Sequence, residues 1–286
     1  MIGTGICRNT INDRTKILKA VFKWGVAGEI IPPSVYHSLL AVPGLRLGRT
    51  EARENEPVQP VADEIVDATL PTLPAVLADM VRFQRATGCR PGEVCILRPC
   101  DVDRSEEVWA YHPSSHKTQH HGRGRTIYLG PRAQEILRPY LLRPDAAFCF
   151  SPKDSEKKRL AKRHADRKTP LSCGNRPGDN RVRYPKRSAG DRYDSATYRR
   201  AITRAVNKIN REQKRNAKKE GIPVDRVEFL PNWAPNQLRH TAGTAVRKAF
   251  GLESAQVILG HAKADVTQIY AERDAELAKE VARKIG

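Results

Sequence analysis

The stretch from Pro235 to Tyr270, PNQLRHTAGTAVRKAFGLESAQVILGHAKADVTQIY, constrains this chain more than any other part of it. Arg239 is followed 22 positions later by His261, and Tyr270 lies 9 residues further on. An apolar helical run, Thr244 to Phe250, and then a Leu-Gly-His turn separate the Arg from the Tyr. A guanidinium neutralises phosphate oxygens, an imidazole donates to an oxygen or moves a proton, and a phenol can attack phosphorus. These are the groups that phosphoryl transfer to a protein hydroxyl requires.

A second segment carries a comparable signal. TLPAVLADMVRFQRAT, residues 72 to 87, predicts a helix whose apolar face is Leu73, Val76, Leu77, Met80, Val81 and Phe83. In the following TGCRPGEVCILRPCDVD, Gly88 can end that helix and Pro91 can open the next. Arg90 is then held at a helix-turn-helix junction, with Val94, Ile96 and Leu97 burying the second helix. Taken alone, an Arg at a helix start is a solvated charge; the flanking residues give it meaning. Val108 to Tyr111 reads as a short strand, and HKTQHHGRGRTIYL, with Gly122 and Gly124 at its turn, as a hairpin carrying Lys117. A helix opened by Pro131 and running to Leu141 follows. His112, His116, His120 and His121 are not read as a metal site, because no second ligand cluster accompanies them.

Charge narrows the partner. The net charge is +19 and the pI about 10, and residues 151 to 220 hold 23 Lys+Arg against 8 Asp+Glu. A polyanion is implied. A membrane surface would also attract such charge, but no 18-residue apolar run and no signal-peptide pattern occur, which favours nucleic acid. The six cysteines form no Cys-x-x-Cys pair and no zinc-finger spacing, and suit a reducing cytoplasm.

LRHTAGTAVRKAFGLESAQVILGHAKADVTQIY resembles the C-terminal motif block of the tyrosine recombinases, the phage-integrase family. That family's pattern is roughly His-x-Leu-Arg-His-Thr, then Leu-Gly-His, then Thr-x-x-Tyr. One position departs, because Asn236 stands where the family has its first His, or a Lys. TGCRPGEVCIL resembles the family's Thr-Gly-x-Arg-x-x-Glu signature, with Glu93 as the acid. The resemblance implies that Arg90 and Arg239 bind the scissile phosphate and that Glu93 orients the site. It further implies that Lys117 is general acid to the leaving 5′ hydroxyl, that His261 bonds the phosphate, and that Tyr270 is the nucleophile. Asn236 can donate a hydrogen bond but is no base at neutral pH. His240 matches the family's structural His after the Arg and is not assigned as base. Neither cofactor nor metal is expected, since arginines supply the counter-charge.

The implied fold is mainly α with a small antiparallel sheet: a tyrosine-recombinase-like catalytic domain over residues 61–286, preceded by a short helical core-binding segment over 1–45 and a linker over 46–60. The helical period of residues 9 to 27 puts Ile11, Ile17, Leu18, Val21, Phe22 and Val26 on one side, which reads as a surface helix or as part of the clamp on the far side of DNA. The family's clamp has about four helices, so this one is expected to be truncated or minimal. Residues 151–191 form a basic insertion, read as a mixture of solvated chain and a phosphate-contacting arm. The final AERDAELAKEVARKIG is an amphipathic helix candidate that packs either on a neighbouring protomer or on its own domain. The expected activity is site-specific recombination or integration through a 3′-phosphotyrosyl link, by a homotetramer on double-stranded DNA, in the cytoplasm and at the nucleoid. Two alternatives stay open: a DNA-binding remnant with weak or no catalysis, and a topoisomerase-like relaxing activity.

Overall fold

The computed structural model describes residues 1–115, 124–170, 172–173 and 189–260. The chain divides into two compact units, Met1–Val58 and Gln59–Gly286. In the first, α1 (Arg8–Ala27) and α2 (Pro33–Leu40) pack together. Residues 46–58, most of the expected linker 46–60, contain neither helix nor a paired strand ladder, yet Arg53 and Asn55 bond to the start of α1. Arg53 bridges to Cys7, and Asn12 bonds both backbone groups of Leu45, accepting at 2.8 Å and donating at 3.0 Å. Of the apolar side of α1 only Ile11 is buried; Ile17, Leu18 and Val21 are exposed, as is Trp24.

The second unit is built around α4 (Ala75–Thr87). All six residues expected on its apolar face are buried. It is packed by α6 (Pro131–Leu137), α7 (Pro152–Ala165) and α9 (Pro235–Leu259). α3 (Asp63–Thr69) leads into α4, and α5 (Pro91–Cys95) follows it. Phe83 of α4 meets Phe150, whose ring lies 4.8 Å from that of Tyr140. Such aromatic groups contribute the largest areas to a core.

Three short strands, β1 (Val102–Asp103), β2 (Trp109–Tyr111) and β3 (Ile127–Leu129), form an antiparallel sheet in chain order. Tyr111 of β2 pairs with Val102 on one side and Ile127 on the other. α7 opens the basic stretch, and its N-cap Ser151 accepts from the Lys153 amide. α8 (Ser195–Lys219) starts at a capping box, in which Asp194 and Thr197 each accept the other's amide. It buries Tyr198, Ile202, Ala205 and Val206 and exposes Arg199, Arg200, Arg204, Lys208, Arg211 and Lys214. α9 is interrupted at Gly251, where φ is 84° and ψ 177°. Thr241 of α9 ties down the start of the unit, its Oγ1 accepting from the Val61 amide at 3.0 Å and donating to the Val61 carbonyl at 2.9 Å.

Two buried phenols differ in their partners. Tyr111 donates to the Glu93 carbonyl at 2.7 Å, whereas the buried Tyr198 hydroxyl has no hydrogen-bond partner among the described residues. An unmade buried bond costs about 1–3 kcal/mol and a made one stabilises by about 1. Tyr111→Phe should therefore lower the melting temperature by roughly 2–4 °C per kcal/mol lost. Tyr198→Phe should leave it unchanged or raise it; calorimetry on both variants reads the contrast, and equal losses would contradict the assignment.

Candidate active site

The site begins at the turn between α4 and α5. Gly88 closes α4 with φ 61°, a left-handed conformation that a side chain would strain, and a Cβ there would also meet the Ala242 methyl of α9 at 3.0 Å. Arg90 is the N-cap of α5 in extended conformation, and Pro91 takes the first helical position. Glu93, three residues on, reaches back: its Oε2 accepts the Arg90 amide at 2.7 Å and its Oε1 accepts Arg90 Nη1 at 2.8 Å. The Glu93 side chain is 3% exposed and that of Arg90 is 22% exposed, so the acid is inside and the guanidinium faces partly outward. A carboxylate near a helix N-terminus is further favoured by the helix dipole.

Arg239 approaches the same turn from the first turns of α9. It is buried, with Nη1 donating to the Gly88 carbonyl at 2.9 Å and Nη2 to the Leu259 carbonyl at 2.6 Å. One guanidinium thereby joins the end of α4 to the far end of α9, where Gly260 turns with φ 61°. Gln84 makes a parallel tie, its Nε2 donating to the carbonyls of Cys89 and Pro235. Arg90 and Arg239, chosen 149 positions apart in sequence, are brought to one three-residue turn.

A third guanidinium joins them, one that the motif reading missed. Arg125, just before β3, is buried; its Nε lies 3.7 Å from Glu93 Oε1, and its Nη1 and Nη2 reach the Ile258 carbonyl at 3.4 and 3.3 Å. The signal was present in the strand period. Arg125, Ile127 and Leu129 alternate with Thr126 and Tyr128, and all three alternate positions are buried. A charge at an inward position of a strand asks for a buried partner, and Glu93 is that partner. Burial pulls the Arg125 guanidinium below its ordinary pKa, Glu93 opposes this, and Arg90 adds to it.

Among the described residues, three guanidiniums and one carboxylate give the cluster excess positive charge. Buried charge of that kind is stabilised by an incoming anion, and planar guanidiniums match phosphate oxygens. Cys89 sits among these groups. Burial, with Glu93 next, pushes its thiol up to about 12, against the opposing influence of Arg239 and Arg125. Asn236 is exposed on α9, and its Nδ2 lies 3.2 Å from His240 Nε2, one turn further along. Burial, and then Arg239, lower the His240 pKa, which favours the neutral imidazole. Lys117, His261 and Tyr270 lie outside the described residues. Among the described residues no group of three or more His, Cys, Asp or Glu side chains could hold a metal ion. No helix among them is long and apolar enough to cross a membrane.

The fold is similar to that of solved DNA recombinases. A variant of the Tn1549 transposon integrase in complex with transposon right end DNA aligns over 99% of this chain and 82% of its own, with 17% identity and a TM-score of 0.60. The Tn1549 integrase in complex with circular intermediate DNA aligns over 97% and 80%, with 19% identity and a TM-score of 0.55. A lambda integrase dimer bound to a COC′ core site aligns over 92% and 59%, with 16% identity and a TM-score of 0.54. No match was found among curated proteins. A mostly helical unit with a small antiparallel sheet is the catalytic-domain fold of the tyrosine recombinases, which break and rejoin DNA. The phage integrase family pattern matches residues 59–276, and the chain belongs to that family.

The state of Cys89 provides a check on the cluster. With its pKa pushed up to about 12, only on the order of one thiol in a thousand is ionised at pH 9. In the native protein iodoacetamide should label exposed Cys100 and leave Cys89 unlabelled until denaturant is added. Peptide mass spectrometry showing Cys89 labelled as fast as Cys100 would contradict the burial of this turn.

Proposed function

We propose that this chain binds double-stranded DNA and recombines it at specific sites through Tyr270. The single observation that carries the reading is the placement of Arg90 and Arg239 at one turn, where positive charge exceeds negative. In this reading the Tyr270 phenolic oxygen attacks a backbone phosphorus. The phenol gives up its proton to solvent as the new O–P bond forms and the bond to the 5′ oxygen breaks, and Lys117 protonates that oxygen. The 3′-phosphotyrosyl link retains the energy of the phosphodiester, so a 5′ hydroxyl from another strand can attack it and release the tyrosine. Arg90 and Arg239 offset the charge that spreads over the non-bridging oxygens, and His261 hydrogen-bonds one of them. Asn236 donates to phosphate through its amide and leaves the phenol without a base at that position.

The exposed basic row of α8 and the basic segment 151–191 supply phosphate contacts without sequence readout. Residues 1–45 would serve as a partial clamp, and the working unit on DNA would be a homotetramer, as strand exchange between two duplexes needs four nucleophiles. The compartment would be the cytoplasm, at the nucleoid, and the setting a mobile element. A second reading has a specific motive. Asn236 contacts His240 rather than offering a base of its own, which would suit a DNA-binding remnant of an integrase.

One gel separates the two. A pool of nicked duplexes with randomised sequence, incubated with the protein, should trap a covalent adduct that survives denaturation. Wild type should give the adduct and Tyr270→Phe should give none. Adduct in both proteins would refute Tyr270 as nucleophile, and salt-sensitive binding without adduct in either would establish the remnant.

A further inference from the structure

We infer that Arg125 is a positioning residue of this site, acting through Glu93 to set how firmly Arg90 is held and clasping the Leu259–Gly260 turn from the strand side. The inference rests on the recombinase reading for its catalytic consequence, but its geometry stands apart from that.

Glu93 Oε1 is shared. It accepts Arg90 Nη1 at 2.8 Å and lies 3.7 Å from Arg125 Nε, and both its own side chain and that of Arg125 are at most 5% exposed. At 3.7 Å the contact is electrostatic rather than a hydrogen bond, and Arg125 Nε has no hydrogen-bond partner among the described residues. The same carboxylate therefore divides its field between two cations. Arg90 is the more exposed of the two and the one that faces an incoming phosphate. Without Arg125, Glu93 would have one close counter-ion instead of two, and Arg90 would be drawn more tightly onto it. A guanidinium satisfied by its own carboxylate is a weaker phosphate ligand.

The other end of Arg125 fixes a second part of the site. Both Nη atoms reach the Ile258 carbonyl, and the guanidinium fills the space that a Cβ on Gly260 would occupy. The glycine of the Leu-Gly-His turn is thus demanded twice, by its φ of 61° and by Arg125. Arg239 holds the adjacent Leu259 carbonyl. Two guanidiniums from different elements therefore pin consecutive carbonyls at the end of α9. The β3 segment, the α4–α5 turn and the α9 end are linked by one buried side chain.

The test uses the full-length protein with Arg125→Met, Arg125→Lys, Glu93→Gln and the Arg125→Met/Glu93→Gln double variant, each checked for native melting. Single-turnover cleavage at saturating nicked duplex should slow by about 10–100-fold in Arg125→Met, while the DNA Kd changes less than about threefold. Arg125→Lys should recover part of the rate, because it restores a cation beside Glu93. In the Glu93→Gln background Arg125→Met should cost clearly less than it does in wild type, since only its hold on the Ile258 carbonyl is left to lose. Additive losses, or a change in Kd alone, would overturn the proposal. Phenylglyoxal labelling of Arg90 in the free protein, read by peptide mass spectrometry, needs no catalysis. Arg125→Met, or Arg125→Lys where Met does not fold, should slow that labelling severalfold, and an unchanged rate would overturn the proposal even if wild type proves unable to cleave DNA.

Discussion

The buried carboxylate of Glu93 is the interaction on which the rest of this site depends. It reaches back to the amide and guanidinium of Arg90, lies against Arg125, and receives support from behind, where its own carbonyl accepts the Tyr111 hydroxyl. A buried carboxylate alone would be costly, and so would buried guanidiniums alone. Together they make a cluster that is tolerable when empty and better satisfied with an anion. The scaffold has to bring four chain segments together to achieve that, and two kinds of tie do so. Guanidiniums bond carbonyls at helix ends, where acceptors are otherwise unpaired, and glycines at Gly88 and Gly260 permit the close approach.

The two units differ in how much they bury. The second unit holds a continuous aliphatic and aromatic core with α4 at its centre, which gives the α4–α5 turn a rigid base. The first unit has few buried residues and keeps an exposed apolar side on α1. Precision in the catalytic geometry is thus built where the core is, as near-attack positioning requires.

Much of this was legible in the residues. The apolar period of residues 72 to 87 placed α4 and its buried face, and the Gly88 and Pro91 punctuation placed Arg90 at an N-cap. The Pro131 start located α6. Arg125 was hidden by its setting, because a run of Gly, Arg and His reads as a solvated turn until the strand register shows which side chains point inward. The route of residues 46–58 beside the start of α1 was hidden for a related reason: it is held by single hydrogen bonds such as those of the Arg8 amide to the Arg53 carbonyl and of Asn55 to Cys7, which leave no periodic trace. The contact of Asn236 with His240 follows from helical spacing and could have been read from it.

The central claim is that Arg90 and Arg239, gathered at one turn, act on a single phosphate as one unit. Single-turnover cleavage rates for Arg90→Lys, Arg239→Lys and the double variant test it most directly. The account predicts a double variant little slower than the slower single one. Losses that simply multiply would show two arginines working independently and would contradict it.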